Sequence, residues 1–301
     1  MVNLAYRRSK EKTNLNTLIM SLCIAWVRKN KDMEELCMIA DSCLSGGQRF
    51  LAAPKIFPLS RNDCAIACAG TTSYSFPVVE HIMKSIELNQ IYKDRACDVT
   101  EFRHTILDIA NKCLIEEQEP DYMENGPDFS MIFAGYSWRE KKFCLWEIRY
   151  DKHLKKMNYS TPKTIKRTPF AVIGDLVPKV RHLIYQKLDA EGVKERGFVD
   201  MQPLEVLLQV INDTSTETRS IGGYPQMVKI YPFMRVLPIG FRLTKNNKKV
   251  ITYSGRPLLD FEIFPYPIYD LEEKKIIYMK GVLEEFERKS EDVAPLPFLC
   301  N

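Results

Sequence analysis

The stretch SLCIAWVRKNKDMEELCMIAD, Ser21 to Asp41, decides how the chain is read. Leu22 to Arg28 is an apolar run rich in β-branched and aromatic residues, and Lys29-Asn30-Lys31-Asp32 is a polar turn. Leu36 to Asp41 is a second run of the same kind, so the two read as a β-hairpin with a longish loop. Lys55 to Leu59 and Cys64 to Ala69, separated by Arg61-Asn62-Asp63, read as a second pair of short strands.

Downstream the period changes. Phe76 to Leu88 puts Val79, Ile82, Met83 and Ile86 on one helical face, with Pro77 in the first turn. Thr100 to Glu116 opens with Thr100 as a cap and carries Phe102, Ile106, Ile109 and Cys113 along one stripe. Gly126-Pro127 breaks the chain. Phe129 to Tyr136, Phe143 to Tyr150 and Phe170 to Ile173 return to strand character, the last ending in Gly174-Asp175. Helices over about 176–190 and 203–214 lead to a strand at Gln226 to Tyr231. Runs of strands separated by runs of helices argue for an α+β layered architecture rather than a βαβ parallel sheet. Two stacked antiparallel sheets with a helix pair on each outer side satisfy this order, as do other α+β arrangements. After Pro232 come Pro257, Pro265 and Pro267, a strand-like piece at Lys249 to Tyr253 and an expected short helix at Leu271 to Arg288. The chain thus divides into a tail at 1–20, a main domain at 21–232 and an accessory extension at 233–301.

Composition narrows the function. A formal charge of +4 is too small and dispersed to argue for a nucleic-acid or membrane partner, and Arg7, Arg8, Lys10 and Lys12 read as a solvated tail. No window approaches the roughly 20 apolar residues that span a bilayer. The short apolar stretch from Thr17 to Trp26 has no small-residue cleavage site after it, which argues against a secretory signal. Nine cysteines without paired spacing, several inside apolar runs, fit free thiols in a reducing cytoplasm. His81, His104, His153 and His182 are scattered, with no metal-ligand spacing.

Six short motifs add a family resemblance. Ser21-Leu-Cys-Ile-Ala-Trp-Val-Arg-Lys, Ile39-Ala-Asp-Ser42, Ser45-Gly-Gly47, Ala53-Pro-Lys-Ile-Phe57, Cys68-Ala-Gly-Thr71 and Glu217-Thr-Arg-Ser-Ile-Gly-Gly223 occur in that order. Together they resemble proteasome β-subunits and bacterial HslV-type peptidases, members of the N-terminal-nucleophile hydrolases, over about Ser21 to Tyr231. The resemblance implies a four-layer αββα sandwich and an amide-bond hydrolase that needs no cofactor or metal. It implies Ser21 as nucleophile, Asp41 and Lys55 as its ion pair and Gly70 as the oxyanion donor. Ser45 and Gly47 would pair with the substrate backbone, while Asp175, Glu217 and Ser220 would support the site from behind. Its partners would be a peptide or protein substrate and further copies of the chain in a homo-oligomer, with an ATPase partner left open.

The chemistry shows why these residue types belong together. A chain-terminal serine carries its own base, because an α-amine with a pKa near ~7.7–8.0 lies beside its hydroxyl. A nearby lysine favours the neutral amine, and a buried lysine needs a counter-charge such as Asp41. The family has threonine where this chain has Ser21, and Met20 stands where self-cleaving relatives have glycine. Translation from Met20, followed by methionine removal, would expose Ser21. Two other functions fit the same motifs: a non-catalytic assembly subunit or scaffold whose amine stays blocked, and a small-molecule amidase or acylase.

Overall fold

The computed structural model describes residues 21–30, 33–45, 49–116, 126–193, 198–213, 215 and 219–279. Gly46, Gly47, Glu217, the 1–20 tail and the stretch from 280 onward, including most of the expected Leu271–Arg288 helix, lie outside them.

The hairpin of the opening stretch forms as β1 (Leu22–Asn30) and β2 (Met33–Ala40), paired antiparallel with Cys23 opposite Ala40 and Arg28 opposite Glu35. β3 (Ile56–Pro58) and β4 (Cys64–Gly70) follow. Then come α1 (Thr72–Leu88), the single turn α2 (Gln90–Lys93) and α3 (Val99–Ile115). α1 begins at Thr72 rather than Phe76, because Tyr74 and Val78 both reach the core and extend the helix through an exposed Pro77. α3 is capped by Asp98, whose side chain accepts the Thr100 N–H, so Thr100 is inside the helix rather than its cap.

The middle of the chain adds β5 (Phe129–Ser137), β6 (Lys142–Asp151), β7 (Lys156–Ser160), β8 (Thr164–Ile165) and β9 (Thr168–Gly174). Two helices follow, α4 (Val177–Ala190) and α5 (Gln202–Asn212). The chain then returns to β structure with β10 (Gln226–Tyr231), β11 (Arg235–Lys245), β12 (Lys248–Tyr253), β13 (Arg256–Pro257), β14 (Ile268–Asp270) and β15 (Lys275–Ile277).

The expected four-layer αββα sandwich is corrected by these elements: the molecule is mostly β. Its described residues form one sheet of ten strands and one of five, against five helices. The pairings are antiparallel apart from β14 on β11. The smaller sheet runs β3-β4-β5-β6-β7 and the larger runs β13-β12-β11-β10-β2-β1-β9-β8, with β14 and β15 attached at β11. Small side chains, among them Cys23, Ala25, Ala40, Ala65, Ala67, Ala69, Ala134 and Ala171, fill the space between the sheets and let them approach closely. α1 and α3 bury their apolar faces on the smaller sheet, and α4 and α5 on part of the larger one. No residue of β12, β13 or β15 belongs to those helix-covered cores.

The shortfall of expected strands has a physical origin. Proline removes a backbone donor, so a proline-rich stretch reads as loop. Pro238 nevertheless sits within β11, in the half that pairs with β10, while the register with β12 starts only at Phe241. A proline is tolerated where one edge needs no donor. In place of the start of a helix after Leu271, the chain turns tightly, with Asp270 accepting the Glu272 and Glu273 N–H groups and Lys274 at φ +51°. It then pairs β15 back on β14.

Candidate active site around Ser21 and the Asp41–Lys55 pair

Ser21 is buried and immediately precedes β1, so the first strand delivers it to the end of the inter-sheet space. Its carbonyl accepts the Asp175 N–H at 2.7 Å. The approach depends on Gly174, which has φ +101°, and a Cβ there would stand 1.9 Å from the Ser21 oxygen. The same position lies 3.3 Å from the Ala69 side chain, so the end of β9 links Ser21 to the end of β4.

Asp41 follows β2 and is wholly buried. Its Oδ1 accepts the Leu22 N–H at 2.9 Å and the Lys55 ammonium at 2.7 Å. Its Oδ2 accepts the N–H groups of Cys43 at 2.9 Å and Gly222 at 3.0 Å. Four donors on one carboxylate compensate its desolvation, as a buried charge requires. Lys55 is 2% exposed and stands just before β3. Its backbone is held as firmly as its ammonium: its N–H donates to Gln226 Oε1 at 3.0 Å and its carbonyl accepts from Cys68.

Gln226 opens β10 and ties the site together. Its amide donates to the carbonyls of Asp41 and Ala53, both at 2.9 Å. Ser42 adds a parallel tie, donating to Leu51 O at 2.8 Å and accepting the Tyr224 N–H at 2.7 Å. The sequence assigns neither residue a role of its own, although Ser42 closes the Ile39-Ala-Asp-Ser42 motif. These partners are 171 to 185 residues apart for Gln226, and no local pattern carries such a contact.

Gly70 closes β4 at φ +109°, where a Cβ would stand 2.1 Å from the Asp128 carbonyl oxygen. Only glycine fits so close an approach in that conformation. Ser220 is buried and stands beside Asp175, and Ser45 is half-buried with its hydroxyl oxygen enclosed and unpartnered among the described residues. The structure therefore brings Ser21, Asp41, Lys55, Asp175 and Ser220 into one cluster, with β4 running alongside to Gly70.

Burial raises the Asp175 carboxyl to about 6; the neighbouring Ser220 opposes the rise, Asp41 and Asp128 add to it, and Lys55 pulls it back. Burial also raises Asp128. Cys23, next along β1, donates its thiol to Cys68 O and is pushed up to about 12 by burial, which keeps it protonated and a poor nucleophile. Among the described residues no group of three His, Cys, Asp or Glu is placed to hold a metal. A cavity of about 690 Å³ lies between α1 and α3, lined by His81, Lys84, Leu88, Lys112 and Glu116 among others, and none of the cluster's residues line it. A smaller cavity of about 460 Å³ starts at Pro54, beside Lys55 in sequence, and is walled by Phe57, Phe76, Val79 and Met83.

Among the described residues no helix is long and apolar enough to cross a membrane. No family model matches the chain, and no curated protein matches it. Solved structures do. A Gly-1 mutant of Anbu from Hyphomicrobium sp. strain MC1 superposes with a TM-score of 0.50 at 14% identity, over 72% of this chain and 84% of that one. A helical assembly of the Anbu complex from Pseudomonas aeruginosa gives a TM-score of 0.52 at 16% identity, over 75% of this chain and 87% of that one. The resemblance to proteasome β-subunits and HslV-type peptidases drawn from the motifs is corrected by these findings: the likeness in hand is to Anbu, at an identity that shows the fold alone.

Proposed function

We propose that this chain is an amide-bond hydrolase, a peptidase of proteasome-like chemistry, whose nucleophile is the hydroxyl of Ser21 once Ser21 begins the chain. The reading rests chiefly on one observation: a fully enclosed Lys55–Asp41 pair whose shared Oδ1 also holds the Leu22 N–H, one residue from Ser21. In this scheme the α-amine of Ser21 takes the hydroxyl proton as the oxygen attacks the scissile carbonyl. Lys55 favours the neutral amine and steadies the developing alkoxide. The Gly70 N–H receives the tetrahedral oxyanion, and loss of one such donor costs ~2.7–4 kcal/mol. The amine then returns the proton to the leaving nitrogen, and water releases the acyl group by the same route. Ser45 and Gly47 align the substrate backbone, and Asp175, Glu217 and Ser220 hold the site from behind. No cofactor enters the scheme. The working form is a homo-oligomer in the cytoplasm, and the helical assembly of the P. aeruginosa Anbu complex supports self-association.

A second reading has its own support. Met20 precedes Ser21, and while that peptide bond stands the amine is a non-basic amide. The chain would then be a non-catalytic assembly subunit. Expression from Met20, with the methionine removed in the cell, should yield a peptidase, whereas chain left intact from Met1 should be inactive. An epoxyketone, which needs both a hydroxyl and a free amine to close its ring, should label only the form that begins at Ser21. Labelling of neither form while both are folded establishes the assembly subunit instead.

A further inference from the structure

Asp175 stands between β9 and α4, directly after Gly174, and its N–H is bonded to the carbonyl of Ser21. Its side chain lies beside Ser220, which lowers its pKa, and in the field of Asp41, Asp128 and Lys55. Among the described residues its Oδ2 is nevertheless enclosed with no hydrogen-bond partner. A carboxylate oxygen cut off from water and from donors is unfavourable, and such positions in folded proteins ask for a partner. A chain that begins at Ser21 brings one: an ammonium with three donors, within the reach of a single residue from the backbone atoms Asp175 already holds.

We propose that Asp175 is the carboxylate that receives the α-ammonium of Ser21, and that it sets the pH at which this amine becomes a base. The inference rests on the Ser21 reading above. An adjacent negative charge stabilises the ammonium and raises its pKa, and Lys55 acts in the opposite sense. Asp41 is already matched by Lys55 and three backbone N–H groups, and it is the backbone of Asp175 that holds the Ser21 carbonyl. Among the described residues Asp175 is thus the charge left to face the amine, with the Ser220 hydroxyl beside it. The base form then develops only above the ordinary α-amine range, and the reaction runs on the alkaline side. By linkage the ammonium must act back on Asp175: its carboxyl, at about 6 in this structure, should fall when the chain is trimmed. Asp175 is a positioning residue here, because it acts through the amine and not on the substrate.

The test needs no substrate. Protein labelled with [15N]serine and beginning at Ser21 is titrated by NMR as wild type, Asp175→Asn and Asp175→Ser. The α-amine pKa should drop by about one unit in either variant. In wild type, the Asp175 carboxyl carbon should titrate lower in the trimmed chain than in the full 301-residue chain, a comparison that needs no variant to fold. An amine that titrates alike in wild type and variants, or an Asp175 carboxyl indifferent to trimming, overturns the proposal. A shifted amine in a protein without peptidase activity would leave this inference standing and remove the hydrolase reading; an active protein with an unmoved amine would do the reverse.

Discussion

β1, β2 and β10 carry a buried ion-pair network at each end, and the two are built on different plans. At one end Glu35 accepts Lys229 at 2.7 Å and Arg28 at 2.8 Å, and Arg28 reaches on to Asp200, a side chain 53% exposed. At the other end Asp41 meets Lys55 with both side chains at most 2% exposed. Glu35 has two cations and a path to solvent. Asp41 has one cation, three backbone N–H donors and Ser21 next door. The first plan is what a sheet uses to lock strand register, since Arg28 and Glu35 are directly opposed across β1 and β2. The second fixes a charge in place with backbone geometry, so that its field points at one spot whatever the solvent does.

The sharpest way to break this contrast is at Ser21. In protein beginning at Ser21, Ser21→Ala should abolish turnover while leaving the fold intact at a cost of about 1–2 kcal/mol, because one hydroxyl of a buried residue is removed. Turnover that survives takes Ser21 out of the mechanism, whatever the pair beside it does.

Next in size is the exchange of lysines. Lys55→Met strands a buried carboxylate, so it should cost about 3–5 kcal/mol and at least a hundredfold in activity. Lys229→Met leaves Glu35 still paired with Arg28 and should cost less, about 1–3 kcal/mol, with activity within twofold. Chemical melts and single-substrate kinetics on both variants separate the two plans. Equal losses of activity would show that the Asp41–Lys55 end has no privileged link to chemistry.

A smaller effect is expected from glycines in the left-handed region. Gly174→Ala places a methyl 1.9 Å from the Ser21 carbonyl at φ +101°, so β9 or Ser21 must move. The expected cost is about 1–3 kcal/mol, with loss of epoxyketone labelling. Gly192→Ala, at φ +68° with nothing within 4 Å, meets no neighbour and carries only the conformational penalty, about 1 kcal/mol. Equal melting temperatures for the two would mean that the close approach at Ser21 has slack.

What was legible in the sequence follows the range over which each signal acts. The opening hairpin, both long helices of the first half and the strands near Phe129 and Phe143 show themselves through period and local breakers. Asp41 and Lys55 were readable as residue types at strand edges, and the motif order placed them together. Gln226 and Ser42 were not, because what makes them structural is a set of bonds closing between distant segments. Gly174 read only as the end of a strand, because the carbonyl that forbids a side chain there belongs to Ser21. The strands after Pro232 were undercounted, because proline composition masks an edge where no donor is needed. The one-letter pattern after Leu271 favours a helix, and over its first residues the turn made by Asp270 and Lys274 and the strand to Ile277 stand instead.

The last expected difference between the two ends is the slope of stability with pH. Asp175 has its carboxyl raised from 3.8 to about 6 by burial. Between those values the folded chain binds more protons than the unfolded one, so stability falls as pH rises from about 4 to 6. Glu35 is the reverse: Lys229 and Arg28 outweigh burial and hold it below 4.5. Its contribution is complete above 4.5 and is lost as pH falls through its folded value, so stability rises with pH below that point. Urea melts of the full chain from pH 3 to 7 should show both limbs. Asp175→Asn should flatten the decline between pH 4 and 6, and Glu35→Gln should remove the rise below 4.5. If Asp175→Asn leaves the decline untouched, its carboxyl is not held up in the folded protein, and the Ser21 end of the sheet is no more tuned to pH than the register end.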